Sequence, residues 1–295
     1  MQQASDARVA PGEAQDANGG SSMRSILITG ASSGIGLDAA VTLRCRGWRV
    51  LAACRRPEDA ARLAGMGLET LSLDLASEAS VAAVADAAAE RTGGRLDALF
   101  NNAAFATPGA VEDLPRAALR EIFETNLFGQ IDLTNRLLPA MRRVGAGRVV
   151  MNSSVLGLVA APWRGAYVAT KFALEGITDA LRIELAGSGI HVVLIEPGPI
   201  DTPFRRNSIP HFERHVDWRA SVHRAAYEAR LLPRLYAEAP GRGQHPPSAV
   251  TARLVEALES RRPRPRYAVT GTTRGAAIMR RLFPTGLSDR ILRLR

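Results

Sequence analysis

Along the chain, short apolar runs alternate with longer stretches in which apolar residues recur every three or four positions. The first run is Ser25-Ile26-Leu27-Ile28-Thr29. It is closed by Gly30 and followed by a helical pattern through Leu37, Ala40, Val41 and Arg44, so it reads as a buried strand feeding a helix. The same reading gives strands at 49–54, 68–75, 96–100, 148–152 and 189–195, and a last one at 266–270. Helices fall between them. One at 77–91 is opened by Ser77 and Glu78 and ended by Gly93-Gly94. A long one runs from 115 to 144, another carries Tyr167 to about 186, and another covers 250–258. Apolar strands alternating with helices predict an α/β fold of Rossmann type. Its doubly wound parallel sheet would be covered by helices on both faces.

Three stretches break the rhythm. Residues 1–22 hold almost no large apolar side chain and predict a disordered extension; Met23, just before the first strand, is a candidate start of translation. From 203 to 247 neither period persists, and Phe204, Phe212, Trp218, Tyr227 and Tyr236 stand among Arg and His. From 272 to 295 apolar and basic residues alternate as an amphipathic tail. Packing on its own protein is the favoured reading of that tail, ahead of weak contact with an anionic membrane surface, with packing on a partner subunit also open. The expected organisation is therefore a single Rossmann-type domain at 23–271 between two terminal segments.

Composition narrows the setting. Hydrophobic residues make up 46% of the chain, enough for a substantial core. Cys45 and Cys54 are too few for a disulfide framework, which suits a reducing, cytoplasmic location. No stretch resembles a signal peptide or approaches the length of a membrane span. The net charge is +9, yet residues 253–295 alone carry eleven Arg against three acids. The remainder is close to neutral and holds no nucleic-acid motif, so nucleic acid is not an expected partner. His211, His215 and His223 lack a matching Cys or carboxylate cluster. They are expected to be exposed, and no metal is expected.

Candidate chemistry gathers where strands end. Gly30-Ala31-Ser32-Ser33-Gly34-Ile35-Gly36 joins the first strand to a helix. Glycines there allow a tight turn and close approach of a pyrophosphate, which the helix N-terminus attracts. The second strand ends at Cys54-Arg55-Arg56, where a carboxylate would be needed to hold the ribose hydroxyls of NAD. A cation in its place favours NADP over NAD. Lys171 is the only lysine among 38 basic residues, and it lies four residues after Tyr167. One helical turn would set the ammonium beside the phenol, where a fixed positive charge lowers a tyrosine's pKa and makes it a general acid and base.

With Thr29-Gly30-x-x-x-Gly34-Ile35-Gly36, Asn101-Asn102-Ala103, Asn126, Ser154, Tyr167-x-x-x-Lys171, and Pro197-Gly198 with Thr202, the chain resembles the short-chain dehydrogenase/reductase family over 25–204. By Cys54-Arg55 and the surroundings of Lys171 and Pro197 it looks like bacterial NADP-dependent aldehyde reductases and the related hydroxysteroid and retinol dehydrogenases. The resemblance implies that Tyr167 is the acid/base and that Lys171 holds the nicotinamide ribose. It implies that Ser154 binds the substrate oxygen and that Asn126 positions a water in a proton relay. Gly30, Ser32, Ser33, Gly34, Ile35, Gly36, Arg55, Asp74, Leu75, Asn102, Ala103, Pro197, Gly198, Ile200 and Thr202 would line the coenzyme. The family usually has Gly where this chain has Ala104, which implies a slight shift of the bound group. The resemblance further implies a lid at 203–247 over a small apolar carbonyl or alcohol substrate, NADPH as coenzyme, and a homodimer or homotetramer. A non-catalytic NADP-sensing or scaffold protein on the same fold is the alternative. Intact Tyr167, Lys171, Ser154 and Asn126 argue against it.

Overall fold

The computed structural model describes residues 23–239, 241 and 243–293. The expectation for 1–22 lies outside them. Seven parallel strands form one sheet in the order β3-β2-β1-β4-β5-β6-β7. They are β1 (Ser25–Thr29), β2 (Arg49–Cys54), β3 (Glu69–Ser72), β4 (Ala98–Asn101), β5 (Gly147–Asn152), β6 (Ile190–Glu196) and β7 (Arg266–Ala268). The order reverses between β1 and β4, which opens a crevice above the carboxyl ends of those strands. In register, Ile26 pairs with Val50 and Ala98, and Val150 with Phe100 and Val193, so the sheet centre is continuous apolar surface.

Helices α1 (Gly34–Cys45), α2 (Pro57–Gly65) and α3 (Glu78–Arg91) fill the first half. Helices α4 (Arg116–Phe123), α5 (Gly129–Val144) and α6 (Gly165–Glu184) follow β4 and β5. Two apolar cores result, one on each face. Leu27, Leu51, Leu99 and Met151 point to one, and Ile26, Ile28, Phe100 and Ile195 to the other. That is the side-chain alternation a strand imposes when both its faces are covered.

The helix expected without a break from 115 to 144 is interrupted. Glu124–Phe128 forms one π turn between α4 and α5. It is held by two contacts with distant parts of the chain: Gly129 packs so tightly on the Leu75 carbonyl that a Cβ there would overlap it, and the Asn126 side chain grips the backbone of Phe105. The apolar period continues through the turn, so periodicity alone could not reveal it.

The described residues of segment 203–247 form four short helices, α7 (Phe204–Asn207), α8 (Ile209–His215), α9 (Arg224–Ala226) and α10 (Leu232–Leu235), with a π turn at Tyr227–Leu231 joining the last two. Phe212 and Tyr227 are fully buried in a third apolar cluster that also contains Tyr167. The Tyr227 hydroxyl donates to Asp113 and accepts from the Ala110 N–H. The histidines correct the sequence reading. His211 and His215 are largely buried, because both close on the Glu121 carboxylate of α4, which Arg214 also binds. His223 is half-exposed against Glu112.

Helix α11 (Ser248–Glu259) packs on α1, and after β7 come α12 (Gly271–Leu282) and α13 (Thr285–Arg293). Own-protein packing of this tail is partial. Thr273 and Ala276 are buried, and Arg280 donates to the Gly157 carbonyl and lies over Phe172. Ile278, Leu282, Phe283 and Leu287 remain exposed. No helix among the described residues is long and apolar enough to cross a membrane.

Candidate active site

The expected residues converge at the carboxyl ends of β1, β4, β5 and β6. Gly30 and Gly34 adopt positive φ, +65° and +52°, which only glycine takes without strain. Gly36 lies so near the Gly30 carbonyl and Asn102 that a Cβ would collide with both. Ser33 is the N-cap of α1 but makes no side-chain cap, and the first turn, with Ile35, holds no acid. The amide donors of this helix end, beside Ser32 and Ser33, are thus offered outward with nothing to repel an anion. The cradle fits a dinucleotide's pyrophosphate. Thr202 closes it from the far side, its side chain packed where a Gly34 Cβ would be.

Around it a polar network ties the strand ends together. Thr29 Oγ1 accepts from the Asn102 and Ala103 N–H groups, and Asn102 Nδ2 donates to the Thr29 carbonyl. Asn152 Nδ2 donates to Asn102 Oδ1. Gln130 holds the Ala103 carbonyl. At the outer rim Asp74 accepts from the Ala76 N–H, and Leu75 is buried. Pro197 accepts from the Val155 N–H, and Gly198 fits against Thr270. Ile200 bridges to His245. Arg55 is exposed at the end of β2, while Arg56 is engaged by Asp59 and Glu58. Arg62, which sequence reasoning passed over, donates to the Ser32 carbonyl from α2. Its only sequence signal was a basic residue in the last turn of that helix.

Tyr167 and Lys171 share one face of α6, as the spacing requires. The Lys171 amine donates to the Asn152 carbonyl at 2.7 Å and sits 5.6 Å from the centre of the Tyr167 ring. Both side chains are buried. Their protonation differs from the expectation. Burial pushes the Tyr167 phenol up to about 12, with Ser154 and Arg164 pulling the other way. Desolvation outweighs any help from the lysine. Burial likewise brings Lys171 down to about 8, against the pull of Glu175. Ser154 accepts from the Leu156 N–H and opens the loop after β5. Asn126 uses both ends of its amide: it accepts from Phe105 N–H and donates to Phe105 O and Thr170 Oγ1.

Behind the pair, Arg266 of β7 binds Glu175 and Asp179 of α6 and Glu196 of β6. Burial raises the pKa of Glu175 and Glu196, and Arg266 opposes it, so the cluster fastens α6 one turn beyond Lys171. Over the phenol lies Phe204, edge-on to the Tyr167 ring at 5.3 Å. Among the described residues no group of three or more His, Cys, Asp or Glu side chains is placed to hold a metal ion.

Comparison with known proteins bears on the family and the fold. The sequence model of the short chain dehydrogenase family matches residues 24–212. The uncharacterized oxidoreductase YbbO of Escherichia coli K12 is 42% identical over 91% of this chain and 94% of its own length. Estradiol 17-beta-dehydrogenase 1 of Rattus norvegicus is 36% identical over 89% of this chain and 78% of its own. A short-chain dehydrogenase/reductase from Burkholderia phymatum, solved in complex with NAD, superposes with a TM-score of 0.75 at 25% identity. It covers 88% of this chain and 93% of the other.

Proposed function

The chain belongs to the short-chain dehydrogenase family, and on that premise we propose that it interconverts an apolar aldehyde or ketone and its alcohol, with NADPH as coenzyme and Tyr167 as acid and base. The observation that carries the reading is the placement of the sole lysine: buried, hydrogen-bonded to the Asn152 carbonyl at the carboxyl end of β5, and one turn from the phenol.

The glycine cradle and the N-terminus of α1 would hold the pyrophosphate. Asp74, Leu75, Asn102, Ala103, Pro197, Gly198, Ile200 and Thr202 would line the rest of the coenzyme. When bound, the nicotinamide supplies or accepts the hydride. The protein's part is polar. Ser154 and Tyr167 donate to the carbonyl oxygen as negative charge gathers there. The phenol then yields its proton. A pKa near 12 in the coenzyme-free site keeps it protonated and ready to donate. Lys171, cationic below about pH 8, would bind the ribose and bring positive charge to the forming phenolate. Asn126 fastens the Phe105 segment beside this relay and would position its water. Segment 203–247 serves as a substrate lid, supported by Phe204 on the Tyr167 ring and by the apolar cluster around it. The similar steroid dehydrogenase supports an apolar substrate.

The test is NADPH and NADH consumption across a panel of aldehydes and ketones. Tyr167→Phe should lose about 10²- to 10⁴-fold in turnover while still binding coenzyme. Near-normal turnover in that variant would overturn the assignment.

A further inference from the structure

A carboxylate taken out of water needs a cation or a proton. Behind Lys171 two buried carboxyls meet at one cation. Glu175 lies on α6 one turn after Lys171, and Glu196 is the last residue of β6; they are 5% and 3% exposed. Both close on the same nitrogen. Arg266 Nη1 donates to Glu175 Oε2 and, at 2.6 Å, to Glu196 Oε1. The other arm of the guanidinium, Nη2, donates to Asp179 Oδ2 at 2.6 Å, and Asp179 Oδ1 also accepts from Arg182 at 2.7 Å. Asp179 thus has a second cation. Among the described residues the two glutamates pair with Arg266 alone.

The free oxygen of Glu175 points the same way. Glu175 Oε1 and Ser153 Oγ are both buried without a hydrogen-bond partner among the described residues. Both lie against Gly157, where an added Cβ would sit 2.7 Å from Ser153 Oγ and 3.0 Å from Glu175 Oε1. The hydroxyl is near enough to favour an ionised Glu175, yet completes no hydrogen bond with it. A proton on Oε1 would supply a donor to the hydroxyl and give both atoms a partner. The other charged groups that face the pair are Lys171 and Asp179 on α6 and Arg280 on α12. Burial is the largest influence on both carboxyls and raises them. Glu196 adds to the rise at Glu175, and Asp179 to that at Glu196, while Arg266 opposes both.

We propose that Glu175 and Glu196 hold one proton between them at neutral pH and release it as pH rises, so that negative charge appears one turn behind Lys171 as that amine begins to lose its own proton. Two carboxyls meeting at one cation titrate as a pair, the first ionising readily and the second late. The glutamates are then positioning residues. They keep the lysine cationic through their charge and do not act on the coenzyme. That Lys171 grips the ribose rests on the oxidoreductase reading; the shared proton does not.

The experiment compares the full chain with Glu175→Gln and Glu196→Gln in two ways. Infrared spectra at pH 7 read the proton itself. The wild type should show the carbonyl stretch of a protonated carboxyl. Each single variant should lose it, because either glutamate alone with Arg266 ionises. A wild type without that band overturns the proposal, even where a variant fails to accumulate. So does a band lost in one variant only, which would belong to a solitary acid. NADPH dissociation constants from pH 6 to 10 then read the effect on Lys171. The pH at which affinity has halved should move down by about one unit in Glu175→Gln, where no charge can appear beside the amine, the low end of what a neighbouring opposite charge contributes. It should move up in Glu196→Gln, where Glu175 stays ionised. Lost bracing of α6 would weaken binding at every pH and would not drive the two midpoints apart. Midpoints that move together, or not at all, overturn the positioning role. A wild type that binds no NADPH removes the oxidoreductase reading, and the infrared band alone then decides the shared proton.

Discussion

Lys171 shows what burial does to an amine whose partners are a carbonyl and, one turn on, a carboxylate. Its value of about 8 lies below the ordinary 10.5. The unfolded chain therefore holds the extra proton between those values, and this group makes folding more favourable as pH rises across that window. Coenzyme binding should run the opposite way. The cation that would grip the ribose is lost above about pH 8, so coenzyme affinity should weaken between pH 7 and 9. A flat titration of coenzyme binding over that range would refute the role. Arg55 tests the choice of coenzyme at the same scale. It is exposed and directly follows Cys54, the strand-end position where NAD-binding folds usually place a carboxylate. Arg55→Ala should cut kcat/KM for NADPH about tenfold or more, the loss of one charge-assisted contact, and leave NADH nearly unchanged. Equal losses with both would remove the basis for the preference. The Tyr–Lys spacing was legible because i and i+4 must meet on a helix. The sign of the phenol's shift was not, since it depends on how much protein surrounds the ring.

At the level of elements, β1 and β2 were readable to the residue, and β4, β5 and β6 within one or two positions, because buried parallel strands are apolar throughout and their helices are punctuated by Gly and Ser. β3 is shorter than its apolar run, since Leu73 and Leu75 are buried without belonging to the ladder. The π turn at Asn126 was hidden because its cause is Phe105, twenty-one residues away in sequence. The short helices of 203–247 were equally hidden, their cohesion lying in contacts to other elements. The clearest of these is Glu121, which burial raises but His215, His211 and Arg214 together hold below the usual carboxylate range. It pins α8 to α4, next to Phe105, whose ring stacks on His211 at 3.9 Å. Glu121→Gln should loosen the proposed lid, raising KM for the carbonyl substrate several-fold, about 1 kcal/mol of lost pairing, with a smaller change in kcat. A change confined to kcat would assign Glu121 elsewhere.

Over the whole molecule, the sheet order places every strand-end motif on one rim, which is why a reading by motif and a reading by fold agree. The charge excess lies elsewhere, in the C-terminal tail, where Ile278 and Leu282 are 57% and 70% exposed beside Arg274, Arg281 and Arg290. Apolar side chains rimmed by arginine suit an anionic lipid surface. The full chain should co-sediment with vesicles containing anionic lipid, lose that association as salt rises, and lose it on removal of 272–295. Binding to neutral vesicles alone would exclude an electrostatic contribution.

Because Lys171 is the chain's single side-chain amine and is buried, acylating reagents meet only one internal target besides the α-amino group. Its modification, counted by intact mass, would clock how often the interior opens to solvent. Protection by an occupying molecule could then be followed without chromophore, tag or turnover.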